Sequence, residues 1–184
     1  MKKGMYLIML LVVVAAVAAC NGGKEKAKGD VEVVMQDSVD SHGLQRMQES
    51  TGEMDFQYKG KDYHSVVIRT PDEELPHITN EMGDTYVDNK ITLRLTRGGE
   101  QVFNRTFTKS DFASVVDASL MKKAVLEGIV YDKTAPEGII YAASVAQPQT
   151  DLYVPLSITI TADGHMSIAK VDNLEEQSPD DKSN

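Results

Sequence analysis

The segment from Lys90 to Thr108 most constrains the fold. Ile91, Leu93 and Leu95 alternate with Thr92, Arg94 and Thr96, then Gly98-Gly99 interrupts the run, and a second apolar stretch with Val102, Phe103 and Phe107 follows. Alternation at a period of two marks a half-buried strand, and paired glycines supply the left-handed backbone of a tight turn. The segment therefore reads as a β-hairpin. A two-residue Gly98-Gly99 loop would set Leu93 opposite Asn104 and Leu95 opposite Val102. A three-residue loop, Arg97-Gly98-Gly99 with Gly99 left-handed, sets Leu93 opposite Phe103 and places Phe103 and Phe107 on the apolar face. The second register is the expected one. Arg105 then shares that face, with its head near water at the rim.

Most of the remaining chain has the same character. Met54, Phe56 and Tyr58 alternate with Asp55, Gln57 and Lys59, Gly60-Lys61 marks a turn, and Tyr63–Arg69 forms a second strand that Thr70-Pro71 ends. Asp72–Gly83 reads as a loop, with a short strand around Thr85–Val87. Leu126–Tyr131 and Gly138–Val145 are apolar strands joined by a loop over Asp132–Glu137, and Gln147-Pro148 breaks the second. Leu152–Thr161 and Met166–Val171 form a last hairpin about Ala162-Asp163-Gly164. A three-residue loop there pairs Ile160 with Met166 and Ile158 with Ile168. Ser41–Gln48 fits a helical turn, in a piece, Asp30–Gly52, expected to be either poorly packed or an edge element.

One helix stands out. Thr108-Lys109-Ser110-Asp111 has capping-box spacing, Phe107 and Phe112 are placed as a hydrophobic staple, and Phe112, Val115, Val116 and Leu120 share a stripe. It is expected over residues 109–124, with Lys122 and Lys123 suiting its C-terminal dipole. The sum is a mainly β chain of about seven to nine strands. Turns every 8–12 residues suggest an antiparallel β-sandwich or open barrel with one inserted helix.

The first twenty residues are of another kind. Lys2-Lys3 precede an apolar run from Met5 to Val14 and then Ala15-Ala16-Val17-Ala18-Ala19-Cys20. A basic start, a short apolar core and small residues before a cut are the parts of an export signal, and the core is shorter than the ~20 residues that span a bilayer. Val17-Ala18-Ala19-Cys20 resembles the lipobox of bacterial lipoproteins. The resemblance implies cleavage of residues 1–19 and acylation of Cys20, and several acyl chains make a stable anchor without a transmembrane helix. Cys20 is also the only cysteine, so no disulfide is available to it within the chain. The expected organisation is a signal peptide over 1–19, a Gly- and Lys-rich tether over 20–29, one β-rich domain over 30–174 and a disordered acidic tail over 175–184.

Charge narrows the partners. The formal charge is −9, and loss of Lys2 and Lys3 with the leader takes it to −11. Such a surface repels nucleic acid and anionic headgroups.

Catalytic constellations are sparse. His42, His64, His77 and His165 fall at no metal-ligand spacing, and no nucleophile elbow, phosphate loop or dinucleotide fingerprint occurs. His64 alternates with Val66 and Ile68 as a partly buried strand histidine would, and His165, after the turn glycine, is expected to face solvent. Asp84 and Asp88, with Asp72-Glu73-Glu74 upstream, lack the ligand order of a calcium loop and read as a solvated acidic loop. Asp111 and Asp117 lie six apart, facing different sides of a helix, which does not suit a glycosidase pair. Tyr131, Tyr141 and Tyr153 fall on three late strands and could line a pocket if they share a face. No catalytic residue, cofactor or metal is assigned.

Taken with the lipobox, the segments Ile91-Thr92-Leu93-Arg94-Leu95, Phe107-Thr108-Lys109-Ser110-Asp111-Phe112 and Leu156-Ser157-Ile158-Thr159-Ile160 make the chain similar to small lipoproteins of domain-of-unknown-function families in Bacteroidetes-type bacteria. The resemblance implies an envelope location, and Asn21 rather than Asp after the cysteine favours the outer membrane. The expected role is a non-enzymatic binding or interaction module for an envelope protein or a small apolar ligand. Two other roles compete with it. One is a β-barrel carrier of an apolar ligand, which needs an internal cavity. The other is a hydrolase, which needs two of His64, His77, Asp84, Asp88 and Asp132, or one of them and another titratable group, in a concavity.

Overall fold

The computed structural model describes residues 38–39 and 43–171, so Cys20, the leader, the tether, His42 and the tail lie outside the described residues. In chain order the strands are β1 (Ser38–Val39), β2 (Leu44–Arg46), β3 (Ser50–Tyr58), β4 (Lys61–Pro71), β5 (Ile78–Thr79) and β6 (Thr85–Tyr86). They continue with β7 (Asn89–Arg97), β8 (Glu100–Phe107), β9 (Val125–Ala135), β10 (Gly138–Ala146), β11 (Tyr153–Ile160) and β12 (Met166–Lys170). Two four-stranded antiparallel sheets carry the core, one ordered β3-β4-β7-β8 and the other β12-β11-β10-β9. A small third sheet, β1-β2-β6-β5, holds the parallel pair β2–β6. The main sheets face each other without closing, which makes the architecture a β-sandwich and not a closed barrel. Leu44–Arg46 is strand, not the helical turn expected there, because it pairs with both β1 and β6.

The alternating pattern explains the core. Ile91, Leu93, Leu95 and Phe107 of the first sheet meet Ile139, Tyr141, Val145, Leu156, Ile158 and Ile160 of the second, all at most 1% exposed. Burying each such aliphatic side chain is worth about 1.5–3 kcal/mol.

The 90–108 hairpin turns by another route than expected. Gly98 and Gly99 both have positive φ, and Arg97 pairs with Glu100 across a two-residue turn. A bulge then skips Val102, so Leu95 faces Phe103, Leu93 faces Arg105 and Ile91 faces Phe107. Phe103, Arg105 and Phe107 do share the apolar face. The odd residue that puts them there sits in a bulge rather than in the loop. The last hairpin has the expected register, with Ile160 opposite Met166, Ile158 opposite Ile168, and Gly164 left-handed.

The single helix expected over 109–124 is two short pieces, a 3-10 turn at Lys109–Phe112 and one α-turn, α1, at Ala118–Met121. Thr108 N donates to Asp111 Oδ2 at 2.8 Å, and Phe107 stacks on buried Phe112, so the N-terminal signals act as read. The helix fails at the β-branched pair Val115-Val116. Asp117 then takes an extended conformation and caps a new start, accepting the Ser119 N–H at 3.0 Å. That bond is the main reason the Asp117 carboxyl lies below the usual carboxylate range. Asp132–Glu137 is also mostly strand: β9 runs to Ala135 and turns at Pro136-Glu137.

Candidate functional site

β9 crosses the inner face of the first sheet from β7 over β4 to β3, and its two ends meet that sheet differently. At the start, Leu126 N and Asn89 N both donate to Asp88 Oδ1 at 2.8 Å. Lys109 Nζ lies 3.2 Å from Asp88 Oδ2 and donates to Ala124 O, and the Asn89 side chain donates to Leu126 O. Asp88 is 2% exposed. The solvated acidic loop expected here is therefore half wrong. Asp88 turns inward because the carboxylate satisfies two strand-end amides and a buried ammonium, as a buried charge must. Asp84 remains in the loop, where its N–H and carboxylate are both bonded by the Asn80 side chain.

Further along, β9 leaves a space. Gly128–Tyr131 pass above β3 and β4 with Gly52 and Ser65 beneath them, and a cleft of about 340 Å³ opens between the strands. Val67, Ile129, Met54 and Tyr131 give it an apolar lining, while Gln48, Glu49 and Glu53 stand at the mouth. Arg69 closes one end, donating to the carbonyls of Glu127 and Gln48 at 2.9 and 3.1 Å. Tyr131 closes the other, stacked on Phe56 with centroids 4.6 Å apart. A Cβ added at Gly52 or Gly128 would meet nothing within 4 Å, so small residues create the volume. Volumes of this size lie at the lower end of small-ligand sites.

The tyrosine expectation is met in part. Tyr131 and Tyr141 are cross-strand partners with edge-on rings, and Tyr131 lines the cleft. Tyr141 lies fully buried beneath, donating to Ser65 Oγ at 2.8 Å, and burial pushes its phenol up to about 12. Tyr153 is 57% exposed and belongs to neither.

The titratable candidates do not converge on the cleft. His64 pairs with Asp55 at 2.8 Å on the outer face of the first sheet. His77 lies exposed in its loop, and His165, exposed as expected, sits beside Asp163. Asp72 accepts the Glu74 N–H, which is the main cause holding its carboxyl low, and also binds Lys90, and Asp132 is on the surface near Lys133. Asp111 serves Thr108 and Arg105. Among the described residues no three acidic, histidine or cysteine side chains gather as a metal site, and no helix is long and apolar enough to cross a membrane.

Sequence reasoning missed Ser50, Gly52, Ser65 and Gly128 as cleft residues. The available signal was two glycines inside strands, which often mark bulges or places where something approaches the backbone closely.

Residues 30–168 match the family described as Domain of unknown function (DUF4738). The chain belongs to this family. The matched span contains both sheets and the cleft up to Ile168 of β12. No curated protein matches the chain.

Proposed function

We propose that this DUF4738 chain is an envelope lipoprotein of the Bacteroidetes type. Acyl chains on Cys20 hold it to the outer membrane, and its β-sandwich works as a non-enzymatic binding module. The cleft between β3 and β9 carries the binding half of the reading. It is an apolar recess with a polar mouth, and small residues leave it open beside the buried side chains of the core. The anchor rests on the lipobox-like Val17-Ala18-Ala19-Cys20 after an export signal. A hydrolase draws no support from the site. His64–Asp55 is an exposed pair away from the cleft, and Asp88–Lys109 is a buried pair spent on strand ends. An apolar carrier with its ligand inside a barrel is disfavoured by the open sheets.

Two measurements test the reading. Fractionation should find the protein with the outer membrane and its N-terminal peptide acylated on residue 20, while Cys20→Ser releases it into the soluble fraction. An unprocessed Met1 or a bare Cys20 thiol would refute the anchor. For the cleft, Gly52→Leu projects a side chain into it from a position where a Cβ meets nothing within 4 Å. It should keep the thermal midpoint of the wild type and lose any envelope complex that survives gentle detergent extraction. Survival of that complex in the filled variant would move the site elsewhere.

A further inference from the structure

The sandwich has four edge strands, and three are protected against pairing with another chain. β8 carries the Val102 bulge and an inward-row cation, Arg105. β9 is bulged twice, at Glu127 and Asp132, where its register with β10 shifts. β12 is only five residues long. Bulges, inward charges and shortness are the usual defences of an exposed edge. β3 has none of them. It runs nine residues, pairs with β4 without a break from Ser50 opposite Arg69 to Tyr58 opposite Lys61, and contains no proline. Its inward row, Ser50, Gly52, Met54, Phe56 and Tyr58, carries no charge.

The open groups of β3 follow from its turn. Tyr58 and Lys61 flank the two-residue Lys59-Gly60 turn and exchange both hydrogen bonds. Alternation then points the N–H and C=O of Thr51, Glu53, Asp55 and Gln57 away from β4. Among the described residues no strand pairs with that side. The edge also borders the cleft, so an added strand would drop alternate side chains into the space above Gly52 and Ser65.

We infer that β3 receives an extended peptide segment of a partner protein by strand addition, with basic and apolar residues alternating along that segment. The proposal rests on the cleft being a binding site and names its occupant. Backbone pairing with Thr51, Glu53 and Asp55 provides affinity, as in other edge-strand recognition. Apolar side chains enter the cleft, and the residues between them face outward beside Glu53 and Asp55, whose side chains are exposed. Opposite charges directly across a strand pair stabilise it and like charges oppose it, so lysine or arginine fits there. The same rule disfavours a second copy of this chain, because antiparallel β3–β3 pairing centred on Met54 sets Glu53 against Asp55.

The chain has no tryptophan, so Val130→Trp at the cleft wall, 47% exposed in the wild type, gives a single emission signal for occupancy. The full chain in zwitterionic nanodiscs is titrated with a peptide alternating lysine and valine over about eight residues, against empty nanodiscs as blank. Matched peptides carry glutamate for lysine, or N-methyl groups on the amides that would face β3. The lysine peptide should bind about tenfold tighter than the glutamate peptide, weaken with salt, and protect the amides of Thr51, Glu53 and Asp55 from hydrogen exchange. The N-methylated peptide should not bind, and the Glu53→Lys/Asp55→Lys double variant should reverse the charge preference. Equal binding of the N-methylated peptide overturns strand addition and leaves the cleft as an apolar pocket. No emission change with any peptide overturns it as well, while the Gly52→Leu experiment separately decides whether the cleft binds anything. Concentration-dependent dimers that lysine peptide does not dissociate, or binding that emerges only when residues 21–37 are removed, would assign the edge to this chain itself and also overturn the proposal.

Discussion

At Leu126, β9 is fastened to the first sheet by a buried carboxylate, a largely buried ammonium and two strand-end amides. At Gly128–Tyr131 the same strand passes that sheet over open space. One crossing uses polar groups that are expensive to bury, with both Asp88 oxygens engaged and the Asn89 Oδ1 left without a hydrogen-bond partner. The other uses the absence of side chains. The first ties the start of β9 to the start of β7, and the second is the space that Gly52 and Gly128 leave further along the same strand.

Breaking the fastening should have the largest effect. Asp88→Ala leaves Lys109 buried without its counter-ion and strands the amides of Asn89 and Leu126, for a loss of about 3–5 kcal/mol in denaturant unfolding. Adding Lys109→Met to Asp88→Ala should recover a large part of that loss; simple additivity of the two changes would show that they do not act as a unit. Next in size is the alkaline limit. Tyr141 beneath the cleft holds its proton up to about 12 when folded, while an unfolded phenol releases it near 10. The folded state is therefore favoured below pH 10 and loses about 2 kcal/mol as pH rises towards 12. Tyr141→Phe should cost about 1 kcal/mol at neutral pH through the lost Ser65 bond and flatten that alkaline decline, as followed by unfolding midpoints against pH. A smaller effect contrasts occupied and open space at two glycines. Gly164 is left-handed, with Val102 O only 2.5 Å from where a Cβ would sit, so Gly164→Ala should destabilise by about 1–3 kcal/mol. Gly52→Ala, in ordinary strand conformation over the cleft, should change stability by less than about 1 kcal/mol, in the stabilising direction. Equal losses at both glycines would mean that the cleft is not open in solution.

These two crossings were legible to different degrees in the sequence. Alternation gave the strands, and in the 90–108 hairpin it also gave the correct faces, because side-chain parity survives whether the extra residue sits in a loop or at Val102. Which device supplies that residue was not readable, since it depends on how the Gly98-Gly99 turn matches strand twist. The capping signals at Thr108 and Asp111 were read correctly, but Asp117 as a second start was not. An aspartate inside a helical stripe looks the same whether it faces solvent or caps. Asp88 resembled its neighbours Asp84 and Asp72 until the fold brought Lys109 and Leu126 to it. The cleft was the least legible feature. It is a gap among residues from three strands, and local patterning reports where side chains point, not where they fail to meet.

Each main sheet is drawn from one continuous stretch, residues 50–107 for the first and 125–170 for the second. During synthesis the earlier sheet can pair before the later one exists. For that interval Ile91, Leu93, Leu95 and Phe107 face water with no partner layer, and the half-made molecule presents its stickiest surface next to its least defended edge.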